Sequence, residues 1–484
     1  MKDHGERSAR LDAALADVER NLRNAPESVE LLFEKAQLLS LLGQDAAAQT
    51  AYLAVLARDP THFGALTNLA SLALSSGHRS AAMTAYRQAA DKHPRNPTAL
   101  VNYAGALLDD GRAGEARGFY EAALNIEPAQ AEAHQGLART LEALGEGDAA
   151  GPHWRAGFAG RNIVARPYRG RGAAPRVLLL VSINSGNIPT SLILDDRSFA
   201  VTALYAEFFD SAVPLPEHDV VFNAIGDADL CGVALDNACE IVRRSRAPVI
   251  NPPDRVIPTG RSENAQRLGE IDGVIAPRIA ALPKRALISA DGTARLAQSG
   301  FEFPLLLRAP GFHTGQHFAR VDKADGLAAA AGPMPGDSVL AIQYLDAAGA
   351  DGLARKYRVM FIGEELYPVH MAASRDWKVH YVTSDMASRS DLRAEEETFL
   401  HAMPEVLGAR AMAALTHIRE ALGLDYGGVD FAIARDGSLL LFEANATMTI
   451  LPPSPDPMWD YRRGAIARVL DAARQLVRDR AALR

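Results

Sequence analysis

The chain of 484 residues carries 51 Lys and Arg against 59 Asp and Glu, a formal charge of −8. Its 48% hydrophobic and 23% charged residues exclude a largely disordered or collagen-like chain and leave room for roughly two to four domain cores. The acidic balance argues against non-specific nucleic-acid binding, which needs surplus basic side chains for phosphate contacts. No apolar run approaches the ~20 residues of a membrane helix, and the opening MKDHGERSAR has no apolar leader. Cys231 and Cys239 are too few for a disulfide framework or a Cys-rich zinc site and read as idle, buried thiols. The expectation is a soluble, cytoplasmic protein with neither nucleic acid nor membrane as partner.

Taken in chain order, the first element is an amphipathic helix over about residues 8–24, with Leu11, Leu15, Val18 and Leu22 on one face. A repeat follows. Pro26, Pro60, Pro94 and Pro128 fall at steps of 34 residues. Gly43, Gly77, Gly111 and Gly145 keep the same step, as do Ala48, Ala82, Ala116 and Ala150, and the aromatics Tyr52, Tyr86, Tyr120 and Trp154. Ala36, Ala70, Ala104 and Ala138 form a second small-residue column. Small residues mark where two helices cross closely. Each aromatic sits four residues after the second alanine, on the same helical face. Glycine ends the first helix and proline follows the second.

This pattern resembles the tetratricopeptide repeat, a helix–turn–helix unit of 34 residues, with four copies over about residues 29–160. The resemblance implies an all-α superhelix over 1–160 whose groove binds a peptide or protein. Occupation of that groove by the rest of the chain, or self-association into a homo-oligomer, stays open.

Residues 161–175 (RNIVARPYRGRGAAP) are basic, contain Gly and Pro, and read as a linker. Beyond them, Val177–Ile183 and Asp219–Ile225 are short apolar runs typical of strands buried on both faces. Ala234–Arg244 reads as a helix and Val249-Ile250 as a strand. The alternation predicts a parallel α/β domain over 176–258. Ser182–Asn187 is either a ligand loop at a strand end or an ordinary turn.

The segment LDYGGVDFAIARDGSLLLFEANATM, residues 424–448, reads as two strands, Val429–Ala434 and Ser438–Phe442, joined by an Asp436-Gly437 turn. Asp430 near the start of the first strand faces the end of the second, where Glu443 and Asn445, two apart, share a face. Two carboxylates and an amide oxygen then converge, a hard-oxygen set suited to Mg²⁺ held together with phosphate.

On such a hairpin, D…E-x-N resembles the metal-binding end of the ATP-grasp fold of carboxylate–amine ligases. The resemblance extends over about 176–484, with an N-terminal subdomain over 259–345 and a C-terminal subdomain over 346–484. It implies that Arg308, ending the strand 303–308, contacts the α-phosphate. Gly311 to Gly315 would then close over the phosphates, and Gln343 with the backbone of Tyr344 and Leu345 would bind adenine. Lys356 and Arg358 would bring charge to the γ-phosphate, with Arg358 catalytic, and Arg375 would be a second catalytic residue facing the acyl substrate. Arg261, with Arg267 as a rival, would open the nucleotide-binding part. Arginine stands at Arg261 and Arg308 where the family usually has lysine, which keeps the charge and changes its geometry. His313, His370 and His380 read as loop or packing histidines.

The activity so implied is ATP-dependent amide formation through an acyl phosphate, with two Mg²⁺ ions (Mn²⁺ as the alternative) at Asp430, Glu443 and Asn445, and an amino acid or other amine as co-substrate. The other readings are an interaction scaffold with an inactive or sensory nucleotide fold, and a small-molecule ligase whose repeats mediate assembly.

Overall fold

The computed structural model describes residues 2–311, 316–379 and 384–483, with side chains from residue 10 onward. It divides into two compact units, Met1–Ile163 with Arg169–Ala174, and Val164–Tyr168 with Pro175–Arg484.

The first unit is helical. After α1 (Lys2–Asn24) come α2 (Val29–Leu41), α3 (Asp45–Arg58), α4 (Phe63–Ser75), α5 (Arg79–Lys92), α6 (Pro97–Asp109), α7 (Ala113–Ile126), α8 (Ala131–Ala143) and α9 (Gly147–Phe158). Consecutive helices from α2 pair within each 34-residue period. The period is built from local chemistry. Ser28, His62 and Asn96, again 34 apart, each accept a hydrogen bond from the backbone N–H three residues on and so start α2, α4 and α6. Gly43, Gly77, Gly111 and Gly145 take φ of 70–81°, a left-handed conformation that costs glycine nothing and ends the first helix of each pair. Ala36, Ala70, Ala104 and Ala138 are fully buried at the helix crossings. The aromatic column is buried with its polar tips returned to neighbouring helices. Tyr52 Oη accepts from Asn68 Nδ2 at 3.1 Å, and Trp154 Nε1 donates to Glu142 at 2.7 Å.

The second unit is mixed α/β. Its first sheet contains β1 (Ile163–Ala165), β2 (Arg176–Val181), β3 (Ala200–Tyr205), β4 (Val220–Asn223) and β5 (Val249–Ile250), in the order β1-β3-β2-β4-β5. The pairs β2·β3, β2·β4 and β4·β5 are parallel, and α10 (Gly232–Arg244) connects β4 to β5. The stretch expected as pure linker therefore supplies an edge strand, β1, which the basic, unpatterned sequence concealed. Ser182–Asn187 is an ordinary turn closed on itself: Asn187 Oδ1 accepts from Ser182 N and Asn187 Nδ2 donates to Ser182 O, both at 2.8 Å.

Short helices α11 (Pro253–Val256) and α12 (Arg261–Leu268) lead to β6 (Val274–Ile275) and β7 (Ile279–Pro283). Next come α13 (Lys284–Leu287), α14 (Gly292–Gln298), β8 (Leu305–Arg308), β9 (Phe318–Val321), α15 (Leu327–Ala331) and β10 (Ser338–Gln343). Strands β7-β10-β8-β9 form an antiparallel sheet. On it Leu305, Leu307, Val339 and Ala341 pack against Leu287, Leu296 and Leu327, while Leu306 and Arg308 take the opposite face.

The last sheet has the order β12-β11-β13-β14-β6, from β11 (Ala354–Ile362), β12 (Glu365–Ser374), β13 (Tyr426–Ile433) and β14 (Leu439–Asn445); it is antiparallel except for β14·β6. Helices α16 (Ser390–His401), α17 (Met403–Leu422, interrupted at Gly408 with φ 78°) and α18 (Asp460–Ala482) complete this part. The β13–β14 hairpin is longer than the alternation alone suggested, so Asp430 lies in mid-strand. Gly437, at φ 80°, makes the turn. No helix among the described residues is long and apolar enough to cross a membrane.

Candidate functional site

A cleft of about 830 Å³ lies in the second unit, walled by the second and third sheets and by segments after β14. Strand alternation and register build its charged end. Lys356 and Arg358, two apart on β11, share a face, while Tyr357 between them turns the other way and packs its ring 5.0 Å from Phe399 and 5.6 Å from Phe431. Arg358 pairs across β12 with His370 and across β13 with Asp430, and Asp430 pairs across β14 with Glu443. Four polar residues thus form one row across four strands: His370, Arg358, Asp430, Glu443. The register shifts between Arg358 and Val359 and again between Asp430 and Phe431, so two bulges fall at this row, where a bulge re-aims side chains.

Asp430 is 4% exposed and holds two cations. Arg358 grips it with two bonds, Nε to Oδ1 at 2.6 Å and Nη2 to Oδ2 at 2.8 Å, and Lys356 Nζ donates to Oδ2 at 3.1 Å. Burial alone would raise this carboxyl, but Arg358 and then Lys356 outweigh it and hold it far below its ordinary value. Glu443 is held by Arg261, Nη2 to Oε1 at 2.6 Å, and by Asn445 Nδ2 at 3.0 Å. Burial again works against ionisation, and Arg261 and Arg308 overcome it, so Glu443 also stays below its ordinary value. Asn445 Oδ1 accepts from Thr447 N at 3.0 Å and Thr447 Oγ1 at 2.9 Å. Arg261 begins α12, its backbone N–H capped by Asp229 at 2.9 Å. Arg308 closes β8, its guanidinium 5.7 Å from the Phe318 ring centre. Burial, then the charge of Arg261, pushes Arg308 below its usual value, against the pull of Glu443 and Asp227.

The cleft therefore brings together Arg261, Arg308, Gln343, Tyr344, Leu345, Lys356, Arg358, Asp430, Glu443 and Asn445. Gln343 lines it, but its side-chain Oε1 accepts from Arg278 N at 3.1 Å. The Tyr344 ring lies 4.3 Å from the Arg320 guanidinium. Arg267 reaches Asn264 at 2.9 Å and does not line the cleft. Gly311 lies outside the cleft wall, at φ 79° in a turn after β8; Gly315 and His313, like His380, fall outside the described residues.

Arg375 does not join the site. It is exposed just past β12, its backbone N–H donating to Asp385, and it is not part of the cleft wall. His370, read from the sequence as a loop or packing histidine, and Arg462, which sequence reasoning passed over, stand there instead. His370 is buried, and burial, then Arg358, pushes it well below its ordinary value, so it is neutral. Arg462, 4% exposed, is ion-paired to the fully buried Glu396 at 3.2 Å. A signal for this pair existed. Arg462 occupies the apolar stripe of α18 with Ile466, Val469 and Ala473, and Glu396 occupies that of α16 with Leu392 and Phe399. A charge on a core-facing stripe requires a partner.

The comparisons bear on the first unit. Residues 29–62 match the Tetratricopeptide repeat family. These residues are α2, α3 and their turns, and the same columns recur through α9. A stack of such repeats is a protein-interaction architecture. Among solved structures, "Crystal structure of MamA protein" is 21% identical, with 32% of this chain and 87% of that chain covered and a TM-score of 0.29. "MamA 41-end from Desulfovibrio magneticus RS-1" is 19% identical, with 32% and 92% covered and a TM-score of 0.29. Likeness at this level says nothing about function. No curated protein matches the chain.

Proposed function

We propose that the second unit is an ATP- and Mg²⁺-dependent carboxylate–amine ligase of the ATP-grasp kind, and that the repeats hold its peptide or protein substrate. One observation supports this most: four cations, Arg261, Arg308, Lys356 and Arg358, converge on two carboxylates, Asp430 and Glu443, at one end of a deep cleft. The surplus of two positive charges calls for a polyanion, and a triphosphate has that character. The segment Gln343–Leu345 borders the same cleft and would bound the base.

The donor set suits a hard divalent cation in kind: carboxylates and an amide oxygen, with no thiolate. Its members differ in readiness. The Glu443 side chain is 31% exposed and the Asp430 side chain only 6%, with both oxygens of Asp430 taken by Arg358 and Lys356. Glu443 is therefore the natural holder of a metal, Asn445 Oδ1 would have to exchange its two hydrogen bonds from Thr447 to join it, and Asp430 foremost positions the two cations. When bound with nucleotide, Mg²⁺ would offset phosphate charge. The chain's own residues supply the rest. Arg308 and Arg358 orient and neutralise the phosphates, and Asp430 fixes the Arg358 fork. A substrate carboxylate attacks the γ-phosphorus as ADP leaves, and an amine then displaces phosphate from the acyl phosphate.

The test is ADP release that requires both a carboxylate and an amine, measured on full-length protein with candidate peptides and an amino-acid pool. Arg358→Met should lower it by at least 10²-fold. Release indifferent to that change would sink the assignment. A sensory role for the same fold is favoured by the protein cations already seated on Asp430 and Glu443. It predicts nucleotide binding without turnover under any co-substrate.

A further inference from the structure

The cleft has a second end. Besides the charged row, its walls include Trp377, Lys378, Val379, Leu451, Pro452 and Trp459. These residues are mostly apolar and aromatic; Lys378 and the deeply set Arg462 are the cations among them. His370 ties Arg462 to the cluster: the charges of Arg358, Asp430, Lys356 and Arg462 all reach its imidazole. His370 lies on β12, the edge strand next to β11, and Arg462 Nη2 approaches the carbonyl of Val369, the residue before it. Arg462 thus lines the same cleft as the row Glu443–Asp430–Arg358–His370 and meets β12 next to His370.

Arg462 is a built feature. Its Nε lies 3.2 Å from Glu396 Oε1. Glu396 is itself fixed: Met371 N donates to Oε1 at 3.3 Å and the Tyr461 hydroxyl donates to Oε2. A buried ion pair gains little over a well-packed apolar pair and so is weak evidence of a purely stabilising role. Burial also pushes the Glu396 carboxyl up to about 7, against the pull of Arg462.

We infer that Arg462, set by Glu396 and Tyr461, anchors a second anionic group of the acyl substrate, and so selects acids carrying two negative groups. This rests on the ligase reading above. The carboxylate to be activated would lie at Arg358, and the second group at Arg462 on the same cleft wall. The apolar walls would hold the carbon skeleton between them. Arg462 is thus a specificity residue and Glu396 a positioning residue.

The test uses the full chain with ADP and Mg²⁺ present, and two probes of similar size: glutarate, with two carboxylates, and butyrate, with one. Binding is read by calorimetry, with ADP affinity measured separately. Glutarate should bind at least tenfold more tightly than butyrate. Arg462→Met should erase that preference and Arg462→Lys should keep part of it, each changing the ADP Kd by less than twofold. Glu396→Gln should weaken glutarate without reversing the preference. Equal binding of the two acids by the unaltered protein overturns the inference, whatever the variants do. So does an unchanged preference in Arg462→Met. If ADP fails to bind while the glutarate preference persists and depends on Arg462, the nucleotide reading falls and the anion subsite stands.

Discussion

Asp430→Asn tests the claim that this carboxylate positions cations. The side chain is 6% exposed and engages Arg358 and Lys356, whose side chains are 18% and 16% exposed. Removing one member of a buried ion pair costs ~3–5 kcal/mol. Asparagine keeps one acceptor for the Arg358 fork and some water reaches both cations, so the lower end, about 3 kcal/mol, is expected. With a urea m-value of ~3 kcal/mol/M, the midpoint of the second unit's transition should fall by about 1 M. That transition must be followed separately from the helical unit's, because two units need not unfold together. Glu443→Gln, at a carboxylate a third exposed, should cost only about 1 kcal/mol. Asp430 is held below its unfolded value, so its contribution is complete above about pH 4 and is lost as pH falls through the folded value. The gap between Asp430→Asn and the unaltered protein should therefore be constant from pH 6 to 8 (roughly, given the unfolded carboxylate value) and close only in acid. Pyrophosphate should stabilise the variant more than the parent, since the cluster's surplus rises from two charges to three. A cost below about 1 kcal/mol, or one equal to that of Glu443→Gln, would refute the assignment.

Other outcomes follow from named contacts. Gly136→Ala would place a Cβ 2.1 Å from Tyr120 Cε1, a ring that is 1% exposed, so helical melting should show a loss of ~1–3 kcal/mol or more. His134 and His153 share a hydrogen bond between their Nδ1 atoms at 2.8 Å, which requires one ring to accept, while Glu121 on α7 draws His153 toward protonation. Burial, then His134, lowers His153. The contribution is therefore present above the unfolded histidine value and lost as pH falls below ~6.5; the helical unit should melt lower at pH 5 than at pH 7, and less so in His153→Asn. Glu443→Gln should weaken nucleotide binding in the presence of Mg²⁺ by at least tenfold and in EDTA hardly at all, as calorimetry would register. Equal weakening in both would remove Glu443 from the metal site.

Legibility differed between the two units for a physical reason. In the repeats each contact lies within a few turns of helix and recurs every 34 residues, so caps, glycine turns and alanine crossings print themselves as columns. At the site, alternation placed Glu443 and Asn445 on a shared face, and both line the cleft. What each residue faces was hidden, because Arg358 and Asp430 are 72 residues apart and meet only through the β11·β13 register. Arg375 looked well placed at a strand end and turned out exposed. Arg462 and Glu396 were readable as charges on apolar stripes, but not as part of a cleft.

The sequence by itself determined the repeat, its period and the residue types of a charged, oxygen-rich hairpin, since these depend on neighbours along one helix or strand. Tertiary structure alone decided which cation holds which carboxylate, that Asp430 is saturated while Glu443 is open, and that Arg462 rather than Arg375 stands at the far end of the cleft. Those pairings depend on strand register and helix packing between distant segments, and no local pattern encodes them.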